Sequence, residues 1–305
     1  MTAALDPLAC PDPLAERRYA YALAALRDGE ARTAAEMLEQ ALERAPAWAP
    51  AWFSLGEARA RLGDGEGAAA AFGAALRADP RDVQGAGPRL AQLEGRAVEA
   101  LPPAYVARLF DDYAPRFERH VREQLGYRGP ELILAALDAV APGRRFAGAL
   151  DLGCGSGLMG RALRPRVGRL EGVDLSPAMI AGAQASQVYD ALAVAELVDF
   201  LLARPAGAAD LAVAADALVY LGDLRPVAAA AAAALAAGGL FAFTVESGEA
   251  PFALSESLRF RHSDAHIREA AAAAALSVAG VEAIATRREA GAPAPGRVVV
   301  LAKAR

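Results

Sequence analysis

The sequence predicts two bodies in series: an all-α array, then an α/β fold built on a mostly parallel, seven-stranded sheet. Three observations carry this. From residue 130 onward, short apolar runs alternate with helical stretches, the signature of repeated βαβ units. Upstream of residue 101 there are only amphipathic helical patterns, with small residues recurring at a fixed period. The last two apolar runs, Val281–Thr286 and Val298–Ala302, are joined by a glycine- and proline-rich turn instead of a helix. They therefore form an antiparallel hairpin that closes the sheet. The expected division is a tail (1–14), a helical domain (15–101), a linking segment (102–129) and the α/β domain (130–305).

Composition narrows the class. At 305 residues two domains are expected. Thirty-two basic residues against 37 acidic ones give no broad basic face, so neither nucleic acid nor an anionic membrane is an expected partner. Cys10 and Cys154 cannot build a disulfide framework, which fits a reducing cytoplasm. The first fifteen residues lack a basic region and contain Pro7, Pro11 and Pro13, unlike a signal peptide. The alanine-dominated run Val227–Leu235 is too short to span a bilayer and reads as a soluble helix.

In the helical domain, residues 49–82 form one unit of a repeat. Trp52, Leu55, Gly56, Ala68, Phe72, Ala75 and Pro80 fall at tetratricopeptide offsets, and one period earlier Ala22, Ala34, Leu38, Ala41 and Pro46 take the matching places. Arg18 and Tyr21 depart from the pattern in the earlier unit. Small residues let two helices cross closely, and a proline stops each second helix. Two units bury little by themselves, so a capping helix is expected within Asp82–Ala100. Such an array is either a surface for a protein partner or a second copy, or a passive pedestal.

The α/β domain opens with a helix over Glu131–Val140 and a strand over Phe146–Leu152. Leu158–Leu163 is a crossover helix, and Arg169–Val173 a second strand. Ser176-Pro177 has the N-cap and first-turn chemistry of a helix start. A third strand, Ala191–Ala195, runs into a short helix from Glu196. A fourth, Ala209–Ala215, precedes a long alanine helix (Asp223–Ala237) ended by Gly238-Gly239, a fifth strand (Leu240–Val245) and a helix over Asp264–Ala275.

The chemistry is concentrated after the first strand. Asp151-Leu152-Gly153-Cys154-Gly155-Ser156-Gly157 ends a strand in glycines, where the backbone can turn sharply and approach a ligand. Asp174, at the tip of the next strand, is placed to accept both hydroxyls of a ribose. A literal G-x-G-x-x-G (Gly155, Gly157, Gly160) raises a nicotinamide cofactor, but its first glycine falls too late in the turn. Asp151 would repel a pyrophosphate and suits a cationic sulfonium and ammonium instead. These two motifs, with Gly172-Val173-Asp174-Leu175-Ser176, resemble the class I S-adenosylmethionine-dependent methyltransferases. Tyr105–Tyr127, the run Val219-Tyr220-Leu221-Gly222-Asp223-Leu224 and the triplet Arg261-His262-Ser263 extend the resemblance over nearly the whole chain, to bacterial predicted methyltransferases that carry tetratricopeptide repeats.

That resemblance implies a Rossmann-like methyltransferase fold with S-adenosyl-L-methionine as cofactor. The segment Phe110-Asp111-Asp112-Tyr113-Ala114-Pro115-Arg116-Phe117 resembles the aromatic lid that closes over the methionine end of that cofactor. Tyr113 is the first candidate there and Phe117 the second, since an aromatic face attracts a cation and a lid excludes water. Ordinary helix packing explains their spacing equally well. His120 reads as a solvated helix-face residue.

Cofactor-binding candidates are thus Tyr113, Asp151, Gly153, Cys154, Gly155, Asp174, Leu175 and Met179 beside the adenine, Glu196 and Leu197 after strand three, and Ala215 at the end of strand four. Methyl transfer needs alignment and desolvation first, and a base only where the acceptor carries a proton. His262, Tyr220 and Asp216 are the candidate catalytic groups; His262 is the best base by ordinary pKa, although a lone histidine after strand five more often serves structure or contacts the substrate. Asp216 could equally cap the following turn, and His266 is expected to face solvent. No metal-ligand spacing, nucleophile elbow or P-loop is present. The reading is methyl transfer to a small molecule or a protein side chain. The rivals are a binding scaffold with a vestigial cofactor fold and, less favoured because of the closing hairpin, a nicotinamide-dependent reductase.

Overall fold

The computed structural model describes residues 8–123, 126–289 and 292–305. Most of the expected tail, residues 124–125 of the linking segment and the tip of the closing hairpin lie outside the described residues. The chain divides into two compact units, Met1–Tyr105 and Val106–Arg305.

The first unit is helical. Helices α1 (Pro13–Arg27), α2 (Ala31–Arg44), α3 (Ala49–Arg61) and α4 (Gly65–Ala78) pack as successive antiparallel pairs, followed by the short α5 (Ala86–Leu93) inside the interval expected to hold a cap. The sequence explains the packing. Ala22, Ala34, Leu38, Ala41, Leu55, Ala68, Phe72 and Ala75 are all buried. Gly56 is obligatory: a Cβ there would lie 2.5 Å from the Phe72 ring, which fills the groove between α3 and α4. Asp12 starts the array as a side-chain N-cap, accepting from Leu14 and Ala15.

The second unit begins within α6 (Pro103–Tyr113), followed by a 3₁₀ turn and α7 (Phe117–Glu123), then α8 (Gly129–Val140). Strands β1 (Phe146–Leu152), β2 (Val167–Asp174), β3 (Ala191–Val194) and β4 (Ala209–Ala214) alternate with α9 (Leu158–Leu163), α10 (Pro177–Ala185) and α11 (Leu197–Leu202). Then come α12 (Arg225–Ala234), β5 (Leu235–Ser247), β6 (Phe252–Leu254), β7 (Phe260–His262), α13 (Asp264–Ala273), β8 (Leu276–Glu289) and β9 (Ala292–Lys303). Through the main sheet the order is β3-β2-β1-β4-β5-β9-β8, parallel except for β9, which runs antiparallel to β5 and to β8. Both faces are covered, as a parallel sheet requires. Leu211, Val213, Phe146 and Leu170 pack under α8 and α9, while Ala212, Ala214, Phe241 and Phe243 pack under α11, α12 and α13.

Two features depart from expectation. The alanine helix stops at Ala234, and β5 starts at Leu235, with a register shift against β4 between Ala209 and Leu211. The sheet also gains two short strands: β7 pairs parallel with the tip of β5 at Glu246 and Ser247, and β6 folds back on β7. This flap sits at the end of the sheet where β4 has already finished. Among the described residues no helix is long and apolar enough to cross a membrane.

Candidate active site

The carboxyl ends of β1, β2 and β4 share one edge of the sheet, because β2 and β4 flank β1 in parallel register. The loop after β1 turns through Gly153 (φ 70°), Gly155 (φ 52°) and Gly157 (φ 93°), a left-handed path that only glycine follows without strain. A Cβ on Gly153 would stand 2.5 Å from Ala217. Asp174 ties the loop to β2: its Oδ2 accepts the Gly155 N–H at 2.9 Å and its Oδ1 the Ser176 N–H at 2.9 Å. Burial raises the Asp174 carboxyl above the usual range, while those amides oppose the shift. Cys154 is buried in the same loop, its thiol raised by burial and by Asp151 and Asp174, so it is an inert filler.

Asp151 is fully buried. Its Oδ2 accepts the Tyr189 hydroxyl at 2.6 Å, and its Oδ1 has no hydrogen-bond partner. Burial pushes this carboxyl up to about 7, Tyr189 pulling it down and the Asp174 charge raising it further. Burial raises the Tyr127 phenol well above its ordinary value, and the Asp216 and Asp151 charges raise it further.

On the β4 side, Asp216 is held at φ 60°, a costly conformation for a non-glycine residue, with its N–H on the Thr244 hydroxyl at 2.8 Å. The flap delivers a cation there. Arg259, just before β7, donates to Asp216 Oδ1 (2.8 Å), Glu246 Oε1 (2.6 Å) and the Tyr220 hydroxyl (3.0 Å). Burial alone would lower its pKa, but Asp216, Tyr220 and Glu246 outweigh that and keep it charged. Arg259, Glu246, Tyr189 and Thr244 were not singled out from sequence. Their partners lie far along the chain, and no local pattern announces them.

The aromatic segment docks on this edge. Phe117 stands edge-on to Tyr113 and Phe110, and Phe110 edge-on to Tyr220. A Cβ on Gly155 would lie 3.9 Å from the Phe117 ring. Two carboxylates hold the segment down. Glu118 accepts from Ser156 (2.8 Å) and Arg161 (2.7 Å), while Asp111 accepts from the Ser176 hydroxyl and the Ala178 N–H. Tyr113 is hydrogen-bonded to His120 Nδ1, so His120 belongs to the segment's own network and is not merely solvated.

Other candidates are placed differently from expectation. His262 is fully buried: Nε2 donates to the carbonyls of Leu221 (2.8 Å) and Gly222 (3.1 Å), and Nδ1 has no partner. Burial pushes its pKa down to about 4. A base shielded in this way and bonded to loop carbonyls cannot reach an acceptor, so the general-base expectation is corrected: His262 braces the flap. His266 is also buried, contrary to expectation, and its Nε2 accepts the Leu224 N–H at 3.1 Å. The Glu196 carboxylate turns back as the N-cap of α11, accepting from Val198 and Asp199, so its Oε2 serves the helix instead of facing an adenine. Met179 is buried behind the Ser176 cap, Leu175 and Leu197 are partly buried, and Ala215 packs against the sheet core. Among the described residues no group of His, Cys, Asp and Glu could hold a metal ion.

These features fit a cationic adenosyl cofactor. The glycines leave a cradle that side chains would fill, Asp174 holds the Gly155 and Ser176 amides in place beside it, and the buried Oδ1 of Asp151 lacks the donor that a cationic group would bring.

Comparison with known proteins agrees. Residues 150–241 match the family model described as a methyltransferase domain. Human methyltransferase-like protein 27 is 36% identical over 118 residues, covering 38% of this chain and 48% of that protein. A malonyl-[acyl-carrier protein] O-methyltransferase from Enterobacter lignolyticus is 36% identical over 85 residues, 28% of this chain and 32% of its own length. The chain thus spans about half, or less, of the curated relatives it matches. Among solved structures, Burkholderia thailandensis 1,6-didemethyltoxoflavin-N1-methyltransferase, with S-adenosylhomocysteine bound, superposes with a TM-score of 0.52 at 20% identity, covering 68% of this chain and 93% of that one. The glycine loop, the sheet order and the family match point the same way: residues 150–241 match a methyltransferase domain, within a sheet that shares the fold of a solved methyltransferase.

Proposed function

We propose that the protein transfers a methyl group from S-adenosylmethionine to a small molecule, or to a group presented by a protein partner. The observation that carries this is the pairing of Asp174 with the glycine loop, its two oxygens bridging Gly155 and Ser176. Asp174 would hold the ribose, the amides of 153–157 the methionine backbone, and Asp151 the cationic end. When bound, the cofactor supplies an electrophilic methyl on a positively charged sulfur. The chain's own groups align and desolvate it. Phe110, Tyr113 and Phe117 cover the edge, and the Asp216–Arg259–Tyr220 network fixes one wall. With His262 withdrawn and Asp216 ion-paired, the acceptor is one that arrives deprotonated or loses its proton late.

The helical unit reads as two tetratricopeptide repeats with a capping helix, supported by its paired helices and its buried small residues. It would present a partner or a second copy of the chain.

Calorimetric titration tests the cofactor reading. S-adenosylhomocysteine should bind and NADH should not. Asp174→Ala should weaken binding by about 1.5–3 kcal/mol, roughly ten- to hundredfold, the worth of hydrogen bonds to a charged group. Binding of NADH with none of the homocysteine compound would overturn the reading.

A further inference from the structure

The loop between α10 and β3 holds a residue that the proposed mechanism has not used. Tyr189 sends its ring across the glycine loop and ends on Asp151, its hydroxyl donating to Oδ2 at 2.6 Å. Glycines from three places make room for that ring. A Cβ on Gly160, inside α9, would stand 2.3 Å from the phenol oxygen. One on Gly172, inside β2, would stand 2.8 Å from the ring edge, and one on Gly157, before α9, 3.2 Å from it. Real Cβ atoms do not come as close as the first two. The slot is therefore shaped to the tyrosine and gives Gly160 and Gly172 a role independent of any cofactor phosphate.

We propose that Tyr189 is the positioning residue of Asp151: its phenol aims the carboxylate and favours its ionised form, so that the buried Oδ1 is offered to the cationic end of the cofactor. This rests on the cofactor reading above and deepens it. A single donor on a fully buried carboxylate has a large lever, because nothing else described donates to either oxygen. The other groups facing Asp151 do not substitute. Asp174, at the end of β2, is an anion that opposes ionisation. Cys154 in the loop and Tyr127 ahead of α8 are each held in the protonated form, first by burial and then by neighbouring carboxylates. Tyr189 is likewise kept a phenol, chiefly by burial and by the Asp151 charge, so it remains a donor at all working pH values. Ionised Asp151 attracts the cationic cofactor and protonated Asp151 does not, so affinity should rise as pH climbs through about 7.

Titration of the full chain with S-adenosylmethionine from pH 5.5 to 8.5, with S-adenosylhomocysteine as a second probe, tests this. Wild type should gain affinity for S-adenosylmethionine with rising pH and level off. In Tyr189→Phe the midpoint should move up by about one pH unit, and affinity at pH 7 should fall roughly fivefold. A merely structural role would lower affinity equally at every pH. Asp151→Asn, which still accepts the phenol, should bind weakly with no pH dependence near 7; this holds the test open should Tyr189→Phe not fold. A wild type that binds neither compound overturns the cofactor site and this inference with it. Normal binding with no pH dependence, an unmoved midpoint in Tyr189→Phe, or a wild-type profile in Asp151→Asn overturns the inference alone.

Discussion

His262 shows how environment decides what a side chain can do. An ordinary imidazole titrates near neutrality, but this one is enclosed, gives its Nε2–H to two carbonyls, and is pushed down to about 4 by burial. The stability consequence has a definite sign. Below about 6.5 the unfolded chain takes a proton that the folded chain refuses until about 4, so acidification through that window favours unfolding. His262→Asn removes this one contribution. The variant should be less stable than wild type at pH 8, where it loses packing and a hydrogen bond. Between pH 6.5 and 4 it should lose less further stability, by about 3 kcal/mol at the acid end. Urea denaturation across that range checks it, and parallel curves for the two proteins would contradict the buried neutral imidazole. The same contrast explains what could be read from sequence at this scale. Asp151, the loop glycines and Asp174 stand out because their spacing is local and dictated by a turn. Tyr189 and Arg259 do not, because their partners are 38 and 43 positions away and only the fold brings them together.

The elements were legible where periodicity and punctuation agree. Strand β1 and helix α9 fall at the expected residues, since an apolar run stopped by glycines leaves little freedom. The boundary between α12 and β5 was not legible, because alanine, the strongest helix former, runs on to Ala237, and pairing with β4 from Leu235 overrides that propensity. The β6–β7 flap escaped notice because three-residue strands show no alternation. Yet the flap brings a shielded cation to the site. Arg259 is the cation between Asp216 and Glu246, all three largely shielded from water. Replacing it by methionine removes the cation that Asp216 and Glu246 share, a loss of about 3–5 kcal/mol by analogy with broken buried pairs. Arg259→Met should therefore melt markedly lower than wild type at pH 7. A variant as stable as wild type would show that the flap does not depend on this network.

At the scale of the molecule, two units with separate cores imply two cooperative events. The helical unit is held by alanine-rich helix packing around Leu38, Leu55 and Phe72, the other by a sheet whose two faces are both covered. The candidate cofactor site, from Phe110 to Arg259, lies wholly within the second unit. A ligand that binds only the folded form stabilises what it binds by RT ln(1 + [L]/Kd), about 2.7 kcal/mol at a hundredfold excess over Kd. For a domain near 200 residues that corresponds to a rise of several degrees in melting temperature. Scanning calorimetry should therefore resolve two transitions, and saturating S-adenosylhomocysteine should raise one of them while leaving the other in place. The moved transition should be the one that Arg259→Met lowers, and the unmoved one should respond instead to Phe72→Ala in the helical unit. A single transition that shifts as a whole would mean that the two units unfold as one body, and ligand energy spent at the sheet edge would then also stabilise the helices.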